Sequence, residues 1–575
     1  MLIKKRLFFL HSTILRLRAS RMKVNVLKID KMKLVKIGKW LTLLMIISAV
    51  ILIAGYFLYS KRSAVEQRTS NKVYPDDPTE KDEILRVVHL DLKGAPPKMS
   101  YLIDLIPKLI RTGVNGLLIE YEDMFPYSGI LENVTSKTPY SALDVERFVR
   151  YCYEQGIEVI PLIQTFAHME HILKLPDFSF LREDYHDPRV ICPSNVRTMA
   201  VIKEMIHQIK MMHPHSRKIH IGCDEVTTIN VCSLCAKQYR SNWNTFHTHV
   251  KQVASFIKKT YNNQIKVLIW DDMLRFRDYD MIKHTELQDY VDIVIWDYTA
   301  LLEEPIRNMI WNKYTSIFPR IWVAGAFKGA DGAKSMLPKM ETRYKNHKSW
   351  MEFLKSKSSS TKIIGFISTG WSRYDHFASL CELLPASIPS LILNTLKITE
   401  ALSHSSFHDI EKEYNDLLQC YLPNVNKNNA KAAPVSRFKV YDILHSWSHV
   451  DKCFFREARL ISSIANLTQI QDKIDNLYDV LYEKSGWIDE YHLKSNMMNT
   501  KIVAQHFHDN SFKETSLSFY NIYGILKKEL LRYYNANTVE EWLGTYVEPF
   551  SRKLETLKRV LDKTATTFVW QRRDP

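Results

Sequence analysis

The residues best suited to chemistry are two adjacent carboxylates, Asp224 and Glu225, in the run His220-Ile-Gly-Cys-Asp-Glu-Val226. Burying two such charges side by side costs several kcal/mol unless a cation or hydrogen-bond donors offset it. One of the pair is therefore expected to hold its proton above the ordinary carboxylate range, the property of a general acid. An exposed strand-end pair is the plain alternative, and Asp-Glu alone does not separate the two. His168 and His171 with Glu170 offer a second cluster, but their spacing is not the helical His-Glu-x-x-His of zinc proteases, so metal is the lesser reading there. Cys232-Ser-Leu-Cys235 lacks a second cysteine pair or histidines at ligand spacing nearby, which favours a local disulfide or free thiols, and no metal is assigned.

The elements that would position these groups are short Val- and Ile-rich runs alternating with segments of helical spacing. The runs are 85–91, 114–121, 158–165, 218–225, 266–272, 291–298, 320–327 and 362–371. Strands apolar along nearly their whole length are what a parallel sheet covered on both faces requires. Eight such repeats predict a (β/α)8 TIM barrel over 84–376, whose catalytic groups sit at the carboxyl ends of the strands; a doubly wound open sheet would show the same alternation. The acidic pair ends the fourth run. Beyond 376 the strand-like runs thin out, and Leu543, Val547, Phe550, Leu554, Leu557 and Leu561 form one helical stripe, with Pro549 suited to a first turn. A mostly helical C-terminal domain is expected over 377–575.

Charge is concentrated at the other end of the chain. Of the net +16, residues 1–39 carry +11, so the body is nearly balanced and nothing calls for nucleic acid as a partner. Residues 40–59 follow as twenty uncharged residues, long enough to span a bilayer core of ~30 Å, with Trp40, Tyr56 and Tyr59 at the ends. The run is too long for a cleaved signal peptide, and the basic flank predicts a cytosolic amino terminus. A type II single-pass protein follows, with 60–83 as a polar stalk and the body in a lumen or outside the cell. The sequons at Asn133 and Asn466 are compatible with that side, and eight cysteines, too few for a disulfide scaffold, could partly pair there.

His-Ile-Gly-Cys-Asp-Glu-Val resembles the acidic signature of glycoside hydrolase family 20, the β-N-acetylhexosaminidases. The likeness is to its hexosaminidase D-like branch through Val88–Lys98, Gly116–Tyr127, Trp270–Met273, Trp296–Ala300, Ala326–Ala330 and Gly370–His376. The resemblance implies retaining hydrolysis of terminal GlcNAc or GalNAc in which the substrate's acetamide oxygen attacks the anomeric carbon. Asp224 and Glu225 are then the catalytic residues, Glu225 as acid and base and Asp224 as the holder of the acetamide. It further implies His168 near the carboxylates, Trp270, Trp296 and Trp371 as walls of the sugar subsite, and Tyr298 as a donor to the acetamide oxygen. Asp271, Arg373 and Asp375, with Asp272, become candidate hydroxyl ligands, structural ion pairing being an equal alternative. Both acids can reach one sugar only if the backbone turns at the strand end.

Set against classical members of that family, the chain reads His89-Leu-Asp-Leu-Lys93 where they place a first-strand arginine, Cys223 for a second glycine, Thr227-Thr228 where bulkier residues are usual, and Ala167 where a glycine is common. The branch is also often soluble, whereas an anchor is expected here. The glycan substrate and the membrane are the expected partners, no cofactor is required, and the sequence sets no oligomeric state. The layout of an amino-terminal anchor with a luminal body is that of Golgi glycan processors, with the plasma membrane as the alternative. A glycan-binding protein without turnover and a metal-dependent hydrolase on the same barrel are the rival functions.

Overall fold

The computed structural model describes residues 84–303, 305–357, 362–403, 409–421, 437–566, 569–570 and 572. The basic segment 1–39, the apolar run 40–59 and the stalk 60–83 lie outside these residues. No described helix is long and apolar enough to cross a membrane.

The chain forms β1 (Leu85–Asp91), β2 (Gly116–Glu120), β3 (Glu158–Leu162), β4 (Arg182–Asp184), β5 (Asp187–Ile191), β6 (Lys218–His220), β7 (Lys266–Trp270), β8 (Asp292–Trp296), β9 (Arg320–Lys328) and β10 (Lys362–Gly370). Eight of them close a barrel in the order β1-β10-β9-β8-β7-β6-β3-β2, and every barrel pair runs parallel. The expected TIM barrel is thus present, and β4 and β5 form an antiparallel hairpin inserted after β3. β6 is the shortest barrel strand and meets β3 at the single pair Leu162 and His220.

The period of two in the strands sorts side chains into two cores. Leu85, Val87, Leu118, Ile160, Leu162, Leu268, Trp270, Val294, Trp322, Ala324 and Ile367 fill the barrel interior. The alternate positions, Val88, Leu90, Leu117, Ile119, Ile219, Ile269, Ile293 and Val323 among them, pack outward in the larger cluster shared with the surrounding helices. Each fully buried aliphatic side chain is worth about 1.5–3 kcal/mol, so strands with both faces covered are strongly held. Extending the inward parity upward brings His89, Asp91, Lys93, Glu120, Gln164, Asp224, Asp272, Tyr298 and Trp371 to one mouth.

The C-terminal region is helical among the described residues, as expected, and belongs to the same compact unit as the barrel. The single stripe read across 543–561 is two helices, Ala536–Tyr546 and Glu548–Thr566. Val547, a turn residue at φ −111°, separates them, and Pro549, which has no N–H to donate, stands in the first turn of the second helix. Arg456 pairs with Asp104 at 2.7 Å, and the Lys98 N–H donates to the Tyr533 carbonyl at 2.7 Å, fastening these helices to the barrel. Cys420 and Cys453 form a disulfide.

Candidate active site

β6 stops at His220, and the chain then leaves extended geometry at Gly222 (φ 66°), Cys223 (φ 68°) and Glu225 (φ 48°). Left-handed conformation costs a non-glycine residue about 1–3 kcal/mol, so surrounding contacts must impose it. The Ile221 N–H donates to the Leu268 carbonyl at 2.9 Å and the Trp270 N–H to the Gly222 carbonyl at 3.2 Å, keeping the turn tied to β7. At φ 66° a side chain on Gly222 would be strained, and its Cβ would lie 1.9 Å from Gln164 Oε1, so glycine suits the position. Glu225 is pinned from the other side, its N–H donating to Asp272 Oδ2 at 2.8 Å. This turn brings both acids to the wall of one cavity.

The cavity measures about 680 Å³ at the carboxyl ends of the strands. Of the residues expected at the site, Asp224, Glu225, His168, Trp270, Trp296, Tyr298, Trp371 and Arg373 line it. His168 Nε2 lies 3.6 Å from Asp224 Oδ2 and 3.4 Å from Glu225 Oε2. The Trp270 and Trp371 rings are 6.0 Å apart and tilted, and Trp296 stacks on Tyr298 at 5.0 Å. Trp371 Nε1 donates to the Tyr298 hydroxyl at 3.2 Å, and the Thr369 hydroxyl is a second hydrogen-bond partner of that phenol. Burial pushes the Tyr298 phenol up, so it stays a donor.

Asp271 and Asp375 are not part of the lining. Asp271 has the outward parity of β7 and is buried behind the wall, where it accepts from Arg275 Nε at 2.9 Å and Nη2 at 2.6 Å. Arg275 in turn donates to the Trp296 carbonyl at 2.7 Å and covers its ring at 4.9 Å, so Asp271 holds the wall upright. Asp375 accepts the Phe377 N–H at 2.7 Å. Arg373 lies at the rim with its guanidinium committed to Glu541, 2.9 Å away on helix Ala536–Tyr546.

Sequence reasoning missed Lys93, Glu120, Gln164, Arg275 and Arg343, all of which line the cavity. The first three were legible from the inward parity of β1, β2 and β3. Lys93, at the strand end where an arginine was expected, pairs with Asp91 at 2.9 Å and approaches Glu120 to 3.7 Å. Burial opposes its charge, but Asp91, Glu120 and Glu122 outweigh it and hold the ammonium up. Arg343 comes from helix Met340–Ser356, and its Nε and Nη1 have no hydrogen-bond partner among the described residues. His171 is not part of the cavity lining, and its ring lies 6.1 Å from that of His376.

The expected split of the two acids is present with the roles exchanged. Asp224 is pushed up, by burial first and then by Glu120 and Glu225, while its contact with His168 holds the exposed Glu225 below its ordinary value. Burial also pushes Asp272 up to about 7, with Asp224 adding to the shift. Burial opposes a charge on His168, yet Asp224 and the contact with Glu225 raise the imidazole to about 9. In the free site the proton therefore rests on His168, between the two carboxylates.

The glycosyl hydrolase family 20 catalytic-domain profile matches residues 100–376. Hexosaminidase D of Homo sapiens is 33% identical over 492 residues, which cover 84% of this chain and 95% of that protein. The chain belongs to glycosyl hydrolase family 20. Hexosaminidase D of Bos taurus is 39% identical over 328 residues, 56% of this chain and 93% of that protein. Among solved structures, a β-N-acetylhexosaminidase from Bacteroides fragilis NCTC 9343 is 16% identical with a TM-score of 0.45, over 59% of this chain and 70% of that one.

The His168 proton sets the expected pH behaviour of this family 20 site. A group raised to about 9 is charged through neutrality and loses that charge as pH climbs through 9. The profile of kcat/KM is accordingly expected to be flat near neutrality and to fall through pH 9, with the fall moved to lower pH in His168→Gln. An alkaline limb identical in variant and wild type would remove His168 from the proton inventory.

Proposed function

We propose that this family 20 hydrolase is a retaining exo-β-N-acetylhexosaminidase that removes terminal N-acetylglucosamine or N-acetylgalactosamine from glycans, the substrate supplying its own nucleophile. The observation that carries the reading is Asp224 Oδ1, a buried acceptor in the cavity wall with no hydrogen-bond partner among the described residues. A buried carboxylate oxygen left so is costly, and an acetamide N–H is the donor that would satisfy it. Tyr298 presents its phenolic hydroxyl to the acetamide oxygen from the end of β8, and the indoles of Trp270, Trp296 and Trp371 give flat apolar faces for the C–H face of a pyranose.

The acetamide oxygen attacks C1 as the bond from C1 to the aglycone oxygen breaks, and Glu225 gives that oxygen its proton. The result is an oxazolinium whose positive charge lies against Asp224. Water then attacks C1, Glu225 takes the water proton, and the ring opens to a hexosamine of retained configuration. His168 supplies the proton that Glu225 lacks in the free site. Burial pushes Asp224 up, and a cation formed beside it stabilises the buried anion more than the neutral sugar does.

The same reading places the body in the lumen of the secretory pathway, in the Golgi, behind a type II anchor at 40–59. The length of the apolar run, the basic flank, the Cys420–Cys453 disulfide and the exposed side chains of Asn133 and Asn466 support it. Treatment of the membrane-bound full chain with a peptide N-glycosidase is expected to raise its mobility. An unchanged mobility would speak against the luminal placement.

The catalytic reading is tested by nitrophenol release from aryl β-N-acetylglucosaminide and galactosaminide. The wild type should hydrolyse at least one of them, and Glu225→Gln should lose about 10²–10⁴ in kcat. Full activity in the variant would retire Glu225 as the proton donor, and equal rates on plain β-glucosides would contradict attack by the acetamide.

A further inference from the structure

We infer that Cys192, Cys232, Cys235 and Glu183 form a structural site for a zinc-class divalent cation, which clamps the β4–β5 hairpin to the loop that carries Asp224 and Glu225. The four residues come from three segments. Glu183 lies in β4, Cys192 directly follows β5, and Cys232 and Cys235 frame the first turn of helix Ser233–Gln238. Their ligand atoms all fall within 4.8 Å of one another. Cys192 Sγ is 3.3 Å from Cys232 Sγ and 3.5 Å from Cys235 Sγ, and Cys235 Sγ is 3.0 Å from Glu183 Oε2. Tetrahedral zinc with bonds of about 2.3 Å to sulfur sets its thiolates roughly 3.7 Å apart, so a small opening of this cluster admits the ion.

The chemistry of the set favours a cation over a disulfide. Three thiols can form one disulfide at most, which would leave a third thiol beside a buried carboxylate. Glu183 is buried, and its Oε1 accepts the N–H groups of Val231 at 2.8 Å and Cys232 at 3.2 Å. Those bonds aim the other oxygen at the sulfurs, the outer-shell orientation that metal-binding carboxylates receive. Three sulfurs and one carboxylate oxygen supply the four ligands that a tetrahedral zinc-class ion takes, and the thiol protons leave to solvent as it binds. The Glu122, His171 and His376 cluster is the weaker candidate because cations already occupy it. Lys174 Nζ is 3.1 Å from His376 Nδ1, and Lys93 Nζ is 3.9 Å from Glu122.

Cys232 follows Glu225 by only seven residues, and Thr228 between them donates to Asp187 of the hairpin at 3.5 Å. None of the four ligands lines the catalytic cavity. The ion would therefore hold the loop without touching substrate, and its presence is independent of the glycosidase reading.

Elemental analysis of the full chain, purified without chelators, is the test. About one zinc per chain is expected in the wild type and in Cys381→Ser, and a loss of it in Cys192→Ser and Cys235→Ser. Chelator-stripped wild type should take up Co(II) with a thiolate-to-cobalt charge-transfer band, and should melt at a lower temperature than the zinc-loaded chain. This reconstitution stands even if the serine variants fail to fold. Zinc retained in both serine variants, or folded wild type that takes up no cobalt and yields a disulfide-linked peptide containing Cys192, would overturn the proposal.

Discussion

An extended backbone sends neighbouring side chains to opposite faces, and two consecutive residues can serve one ligand only where the chain abandons that geometry. Asp224 and Glu225 meet this constraint through the left-handed run that follows β6. Much around it answers to that need. β6 is short, Gly222 has no room for a side chain, Asp272 holds the Glu225 N–H, and β7 keeps its ladder to the turn. Cys223 adopts φ 68° where the family's usual glycine would do so without strain, so this chain carries an extra local cost at the same place.

Beneath the turn lies a buried polar layer that decides where charge can sit. His89 Nε2 is 3.2 Å from Glu120 Oε2, and Gln164 Nε2 donates to Glu120 Oε1 at 3.1 Å. Burial disfavours the Glu120 charge, but Lys93 and His89 outweigh it and hold the carboxyl well below its ordinary value. That fixed anion is one of the charges pushing Asp224 up. Burial and this neighbouring anion together disfavour charge on Asp224, so a cation formed beside it is bound more tightly than the neutral sugar before it.

The barrel was legible because strands covered on both faces read as continuous apolar runs, and each of the eight expected runs coincides with a barrel strand to within a few residues. Several runs were read too long at their polar ends, where residues such as Asp224 and Tyr298 leave the ladder to enter the cavity, whereas 85–91 matches β1 and β9 extends one residue past its run. The choice between Asp271 and Asp272 turned on parity, which the interior positions Leu268 and Trp270 already fix. The β4–β5 hairpin escaped because Arg182–Asp184 and Asp187–Ile191 are short and mostly polar. With it went the meeting of Cys192 and Glu183 with the Cys232–Cys235 pair, a contact across forty residues or more that no local spacing displays. The C-terminal stripe kept its helical period through Val547, so the break there had no apolar signal.

The account's central claim is that the nucleophile belongs to the substrate. It is tested most directly by a series of aryl β-hexosaminides carrying acetyl, monofluoroacetyl, difluoroacetyl and trifluoroacetyl groups on the amide nitrogen, with kcat/KM measured for each. Each fluorine withdraws electrons from the attacking oxygen, so the account predicts a steep, monotonic fall along the series. Rates that stay level across it would mean that a group of the protein, or water, attacks the anomeric carbon.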